Sequence, residues 1–177
     1  MMVSCFFRPV IDIDIATQYL FLKRVDGTST SYRISTAKNS VGESEGSGCT
    51  PRGLHAISQK IGSDLPKHSV FIGRAPTGEI YNHALAVAYP QRDWILSRIL
   101  WLTGLEAGKN LGLNANFQCV DTQQRYIYIH GTPDTEVMGV PRSHGCIRMR
   151  NDDVIALFDQ VEVGTVVNVY ESMSHKV

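Results

Sequence analysis

The 177 residues, 43% hydrophobic and 19% charged, fit one globular domain spanning 1–177 rather than a disordered chain. Lys+Arg and Asp+Glu number 17 each, so the net charge is zero and no basic cluster invites nucleic acid or an anionic membrane as partner. Apolar stretches fall short of the ~18 residues of a membrane span. The four cysteines, Cys5, Cys49, Cys119 and Cys146, at spacings of 44, 70 and 27, form neither a disulfide scaffold nor a zinc ribbon.

At the N-terminus the apolar run Val3-Ser4-Cys5-Phe6-Phe7 is too short for a secretory leader, and Asp12 and Asp14 follow it. The expectation is a cytoplasmic protein, or a periplasmic one if the sequence is a truncated piece. Thr17 to Arg24 and Ser31 to Ser35 read as two strands joined by the Asp26-Gly27 turn, a hairpin signal. Lys38 to Gly48, rich in Gly, Ser and Asn, reads as an exposed, mobile loop. Thr50-Pro51-Arg52-Gly53 then turns the chain into a short strand over Leu54 to Gln59.

Val70 to Gly73 and Glu79 to Asn82 predict two more strands around Ala75-Pro76-Thr77-Gly78. Ile95, Leu96, Ile99, Leu100 and Leu102 recur at helical spacing between Asp93, a candidate N-cap, and Gly104, a natural stop. That pattern predicts a helix that packs, or one that walls or covers a cleft. Arg125 to His130 alternates Tyr126, Tyr128 and His130 on one face with Ile127 and Ile129 on the other. Asn151, followed by Asp152 and Asp153, reads as the N-cap of a helix with an apolar face through Val161. A final strand runs from Val163 to Tyr170. The fold class is mostly β with one or two short helices.

A thiol nucleophile needs a nearby imidazole or positive dipole, because a free cysteine titrates near 8.5. His130 lies 16 residues before Cys146, at a strand end and across a Gly/Pro loop. Gly145 clears the backbone beside the nucleophile so that main-chain N–H groups can meet a developing oxyanion. His144 and Arg148 flank the same turn. The competing readings are a buried structural cysteine and a zinc site using His130, His144 and Cys146, which lacks a fourth ligand at suitable spacing. Cys5, Cys49 and Cys119 have no base at catalytic spacing. His55, His68, His83 and His175 gain no role from the motif.

His130-Gly131-Thr132 followed by Ser143-His144-Gly145-Cys146-Ile147-Arg148-Met149 resembles the signature of YkuD-type L,D-transpeptidase catalytic domains, and Thr50-Pro51-Arg52-Gly53-Leu54-His55 resembles an upstream segment of that family. The resemblance spans about residues 15–171. It implies a β-sandwich-like catalytic fold acting on peptidoglycan stem peptides or soluble muropeptides, without cofactor or metal. By the resemblance Cys146 is the nucleophile, His130 its base and the Gly131 carbonyl the group that orients the imidazole. Gly145, Cys146 and His144 serve the oxyanion. Arg148 is a substrate-binding or site-organising cation, or else a structural salt bridge; Ser143 borders the substrate or shapes the turn. The resemblance also implies acylation by carbapenems. The thioester can pass to water, an L,D-carboxypeptidase reaction in murein recycling, or to an amine, an L,D-transpeptidase reaction. The absence of an export signal favours water. An inactive peptidoglycan-binding module is a more distant alternative.

Overall fold

In the computed structural model, which describes residues 8–173, the chain opens with β1 (Val10–Asp14) and then forms the expected hairpin, β2 (Tyr19–Lys23) and β3 (Ser29–Ser35). The Val3–Phe7 run, Cys5 and His175 lie outside the described residues. Gly27 takes φ +84° in the hairpin turn, and Asp26 accepts hydrogen bonds from the Thr28 N–H and hydroxyl, so both turn residues do what their chemistry suits them for. Next come β4 (Gly53–Ile61), β5 (Ser69–Ile72), β6 (Ala75–Ile80), α1 (His83–Ala88) and β7 (Ile95–Gly104). The chain finishes with β8 (Tyr128–Gly131), β9 (Ile147–Met149), α2 (Asn151–Phe158) and β10 (Val166–Tyr170).

The strands follow the order β4-β10-β1-β2-β3-β9-β8-β7, and β4 pairs with β7 to close the ring. β5 and β6 hang from the start of β7. The result is a closed, β-sandwich-like wall around a core that includes Ile11, Leu20, Leu22, Ile34, Leu100 and Ile129. Val154, Leu157 and Phe158 of α2, spaced i, i+3 and i+4, plug into the same core. Among the described residues no helix is long and apolar enough to cross a membrane.

Four expectations need correction. The segment expected as a helix over Asp93–Gly104 is strand β7. Ile95 is half-buried, Leu96 through Leu100 are all buried, and so is Leu102, which means the strand is covered on both faces and its apolar residues do not alternate. A bulge at Ser97, with φ +65°, shifts the register between Leu96 and Ile99 and brings the hydrophobic spacing still nearer a helical one. Second, the β5–β6 turn sits at Gly73-Arg74, both left-handed, and Ala75-Pro76-Thr77-Gly78 belongs to β6. Pro76 is tolerated there because β6 pairs only with β5.

Third, Asn151 is the first helical residue rather than the cap, and no side chain caps α2. Its amide is used elsewhere: Oδ1 accepts from Ser97 Oγ at 2.6 Å, and Nδ2 donates to Thr132 O at 2.8 Å. Fourth, the strand expected from Arg125 begins only at Tyr128, because Tyr126 sits in a turn with φ +57° and is exposed. The short helix α1 has no counterpart in the expected elements. It buries no residue, so it carries no apolar stripe, and it is held by Asn82 Oδ1 accepting from the Leu85 N–H.

Candidate active site

β8 and β9 run parallel, with Ile129 opposite Ile147, His130 opposite Arg148 and Gly131 opposite Met149. Strand side chains alternate faces, so His130, Arg148 and Cys146, one residue before β9, project from the same face. His130 and Cys146 are therefore diagonal neighbours, with Cα positions roughly 8 Å apart by sheet spacing. Local chemistry explains why the thiol sits at the mouth of β9. Gly145 adopts φ +134°, a conformation that L side chains rarely adopt, and Ser143 Oγ donates to the Cys146 carbonyl at 2.5 Å while accepting from the Gly145 N–H at 3.2 Å. Thr50 Oγ1 donates to the Gly145 carbonyl at 2.9 Å from the opposite side.

His130 is 1% exposed, and its Nδ1 lies 2.8 Å from the Gly131 carbonyl. A carbonyl can only accept, so Nδ1 carries the proton and Nε2 is the basic nitrogen. Burial holds the imidazole below its ordinary pKa, partly opposed by the bond to Gly131. The Cys146 thiol donates to the Tyr126 carbonyl and accepts from the Tyr128 N–H, both at 3.4 Å. The residue as a whole is only half-buried, but the packing around its sulfur pushes the thiol up to about 12; the Tyr128 N–H acts in the other direction. Burial thus disfavours the charged form of both groups.

Arg148 Nη2 donates to Asp93 Oδ1 at 2.7 Å, and its Nη1 lies 3.6 Å from Glu136 Oε2. The other Asp93 oxygen lies 3.7 Å from Nδ1 of the exposed His144. Asp93, Trp94, Thr132, Glu136, His144 and Arg148 border a cleft of about 150 Å³. On its other flank Cys146 packs in a cluster with Trp101 and Tyr128. There the Arg74 guanidinium lies 4.4 Å from the Trp101 ring centre and 4.8 Å from that of Tyr126, and donates to the Tyr128 hydroxyl at 3.0 Å. A larger cavity of about 630 Å³ lies beside Val10, Asp12, Lys23 and Asn168. It has neither thiol nor imidazole on its walls, whereas the smaller cleft is bordered by His144 and Arg148.

The structure thus gathers His130, Gly131, Ser143, His144, Gly145, Cys146 and Arg148 around the β8–β9 pair. Asp93, Glu136 and Thr50 complete the arrangement and were not among the site residues expected from sequence. The signal at Asp93 is a lone carboxylate in front of an apolar run, which in sequence is indistinguishable from a helix cap. Among the described residues no group of three or more His, Cys, Asp or Glu side chains is placed to hold a metal.

Residues 8–169 match the model of the YkuD family, the L,D-transpeptidase catalytic domain. The chain belongs to the YkuD family. It is 49% identical over 47 residues to a Salmonella typhimurium protein named "Probable L,D-transpeptidase ErfK/SrfK", a stretch covering 27% of this chain and 15% of that one. It is likewise 49% identical over 43 residues to "Probable L,D-transpeptidase YbiS" of Escherichia coli, covering 24% and 14%. Among solved structures, L,D-transpeptidase 3 from Mycobacterium tuberculosis, in complex with a faropenem-derived adduct, superimposes with a TM-score of 0.55 at 17% identity, over 92% of this chain and 60% of that one. The Enterococcus faecium L,D-transpeptidase C442S mutant gives 0.52 at 16% identity, over 92% and 50%. The match therefore spans less than two-thirds of each of these relatives, and the two structures bear on the fold alone. This YkuD domain has the mostly-β architecture the resemblance implied.

Proposed function

We propose that this YkuD domain cleaves the bond between the L-centre of the third residue, such as meso-diaminopimelate, and the terminal D-Ala of a peptidoglycan tetrapeptide, through a thioester on Cys146. The observation that carries the reading is the β8–β9 register, which sets a tautomerically fixed imidazole diagonally beside a thiol on one sheet face. Sγ attacks the carbonyl carbon as His130 Nε2 takes the thiol proton. The oxyanion is met by the Cys146 N–H and His144, because the Gly145 N–H is already given to Ser143. Collapse expels D-Ala, which recovers the proton from His130, and leaves the acyl group on sulfur.

We read water as the acceptor, making the net reaction an L,D-carboxypeptidase step on soluble muropeptides, with murein recycling in the cytoplasm as its setting. The support is access. Cys146 is only half-buried, so water can reach the sulfur without a dedicated acceptor site, beside a hollow of about 380 Å³ lined by Arg74, Trp101 and Tyr126. The names of the relatives favour the second reading, transfer to an amine to form 3-3 crosslinks or exchange D-amino acids. Acylation of Cys146 by a carbapenem belongs to either reading.

Incubating the protein with disaccharide-tetrapeptide and following products by mass spectrometry tests the proposal. Loss of one D-Ala, absent in Cys146→Ala, supports hydrolysis. Dimers or exchange products would replace water by an amine, and no product of either kind would overturn the reading as a whole.

A further inference from the structure

Arg125 is a cation without a carboxylate: among the described residues its guanidinium forms no ion pair. Its donors go instead to main chain and one hydroxyl. Nη1 donates to Gly42 O at 3.1 Å and Glu43 O at 2.7 Å, while Nη2 donates to Cys49 O at 2.8 Å and Ser47 Oγ at 3.3 Å. One planar fork thus draws in the 42–49 loop, which has no regular secondary structure of its own to hold it. The stretch expected to be exposed and mobile is tied down, by this fork from the Tyr126 side and by Arg52 on the Glu43 carboxylate.

One end of this grip reaches the residue before Cys146 and the other reaches its thiol. Cys49 leads directly into Thr50, whose hydroxyl donates to the Gly145 carbonyl, and the Cys49 carbonyl itself would lie 3.3 Å from a Cβ at Gly145. Thr50 is buried and fixed from behind, its N–H donating to Ser40 O and its Oγ1 accepting from the Ala37 N–H. On the other side Arg125 immediately precedes Tyr126, whose carbonyl accepts from the thiol. That turn is pinned by Asp121, which accepts from the N–H groups of Gly112, Gln123 and Gln124.

We propose that Arg125 is a positioning residue for the nucleophile, clamping the Thr50 segment that holds the Gly145 carbonyl to the Tyr126 turn that holds the Cys146 thiol. The inference rests on Cys146 being the nucleophile of the proposed reaction. Lysine keeps the charge but offers one ammonium where the fork makes four bonds, so geometry and charge separate cleanly. The guanidinium also lies near enough to the thiol to favour its ionised form.

The test is a double-mutant cycle on tetrapeptide cleavage using Arg125→Lys, Thr50→Val and the pair, each assayed well below its own melting temperature. The expected result is a fall in kcat of about tenfold for Arg125→Lys with KM within about threefold of wild type, a pattern lost positioning gives and lost folding does not. If Arg125 acts through Thr50, the double variant is no slower than the slower single. Wild-type kcat in Arg125→Lys, or losses that multiply in the pair, would overturn the proposal. Should Arg125→Lys not fold, Ser47→Ala takes its place, and it must add nothing to Thr50→Val. Wild-type protein inactive on the tetrapeptide would instead reject the underlying function, an outcome separate from both.

Discussion

Arg148 Nη2 donates to Asp93 Oδ1 at 2.7 Å, joining the strand that follows Cys146 to the chain entering β7. The same carboxylate lies within 3.7 Å of His144. Asp93→Ala leaves Arg148, which is buried, with only the more distant Glu136, and leaves His144 without its anion. Because Asp93 is half exposed, the expected loss of stability is modest, about 1 kcal/mol. The loss of kcat/KM should be larger, about tenfold, since two groups at the reacting centre lose a fixed neighbour. Chemical denaturation and tetrapeptide cleavage measured on the same preparation check the contrast.

The pH profile follows from two buried groups displaced in opposite directions. His130 sits below the ordinary 6.5 of an imidazole and the Cys146 thiol is raised to about 12. The base must be neutral to take the proton, so kcat/KM rises with pH to a midpoint below about 6.5 and then stays level through neutral and mildly alkaline pH. Measuring cleavage between pH 4.5 and 9.5 decides it. A rise centred near 8.5 would mean that an ordinary thiol must ionise before attack.

Gly145→Ala forces a side chain into φ +134° and sets its Cβ 3.1 Å from Ile127 Cδ1 and 3.3 Å from the Cys49 carbonyl. A backbone held in such a region costs on the order of 1–3 kcal/mol, and relief requires moving the turn that carries the thiol. Both stability and kcat should fall, kcat by more than tenfold. A urea titration paired with activity measures the two losses.

His55 supplies an acid limb to stability, away from the chemistry. It is fully buried, with Nδ1 at 3.0 Å from the Gly53 carbonyl and Nε2 at 3.1 Å from Thr122 Oγ1, and burial lowers its pKa to about 4. The folded state therefore resists protonation that the unfolded chain accepts near 6.5. This contribution is fully present above about pH 6.5 and is lost as the pH falls toward 4, amounting to roughly 3 kcal/mol. Denaturation midpoints between pH 7 and 4 should drop accordingly, and His55→Asn should flatten that drop.

What the sequence revealed was local. Ser143 through Arg148 and the His130-Gly131 pair each occupy one short stretch of chain, so their chemistry is legible without knowing the fold. Asp93, Glu136, Thr50 and Arg125 reach the same place from separate segments, and only the sheet order brings them there. The Asp26-Gly27 hairpin was readable because one turn dictates two alternating strands. β7 was not, because burial on both faces erases the alternation that marks a strand, and the bulge at Ser97 imitates helical spacing. α1 left no trace for the opposite reason: it buries no side chain, so no stripe announces it.

The ring closure between β4 and β7 has a practical consequence. His130 and Cys146 stand on neighbouring staves of a wall whose hydrogen bonds continue on both sides, β7 beyond β8 and β3 beyond β9. Neither stave can tilt without breaking a ladder, so the strand frame is fixed, and what a folded variant can still alter is the aim of the thiol in the turn just before β9. The segments around the cleft, 84–92 and 133–138, belong to no strand of that ring. An engineer seeking a different acyl acceptor can leave the barrel untouched and rebuild those two stretches, keeping the Arg148 partners Asp93 and Glu136.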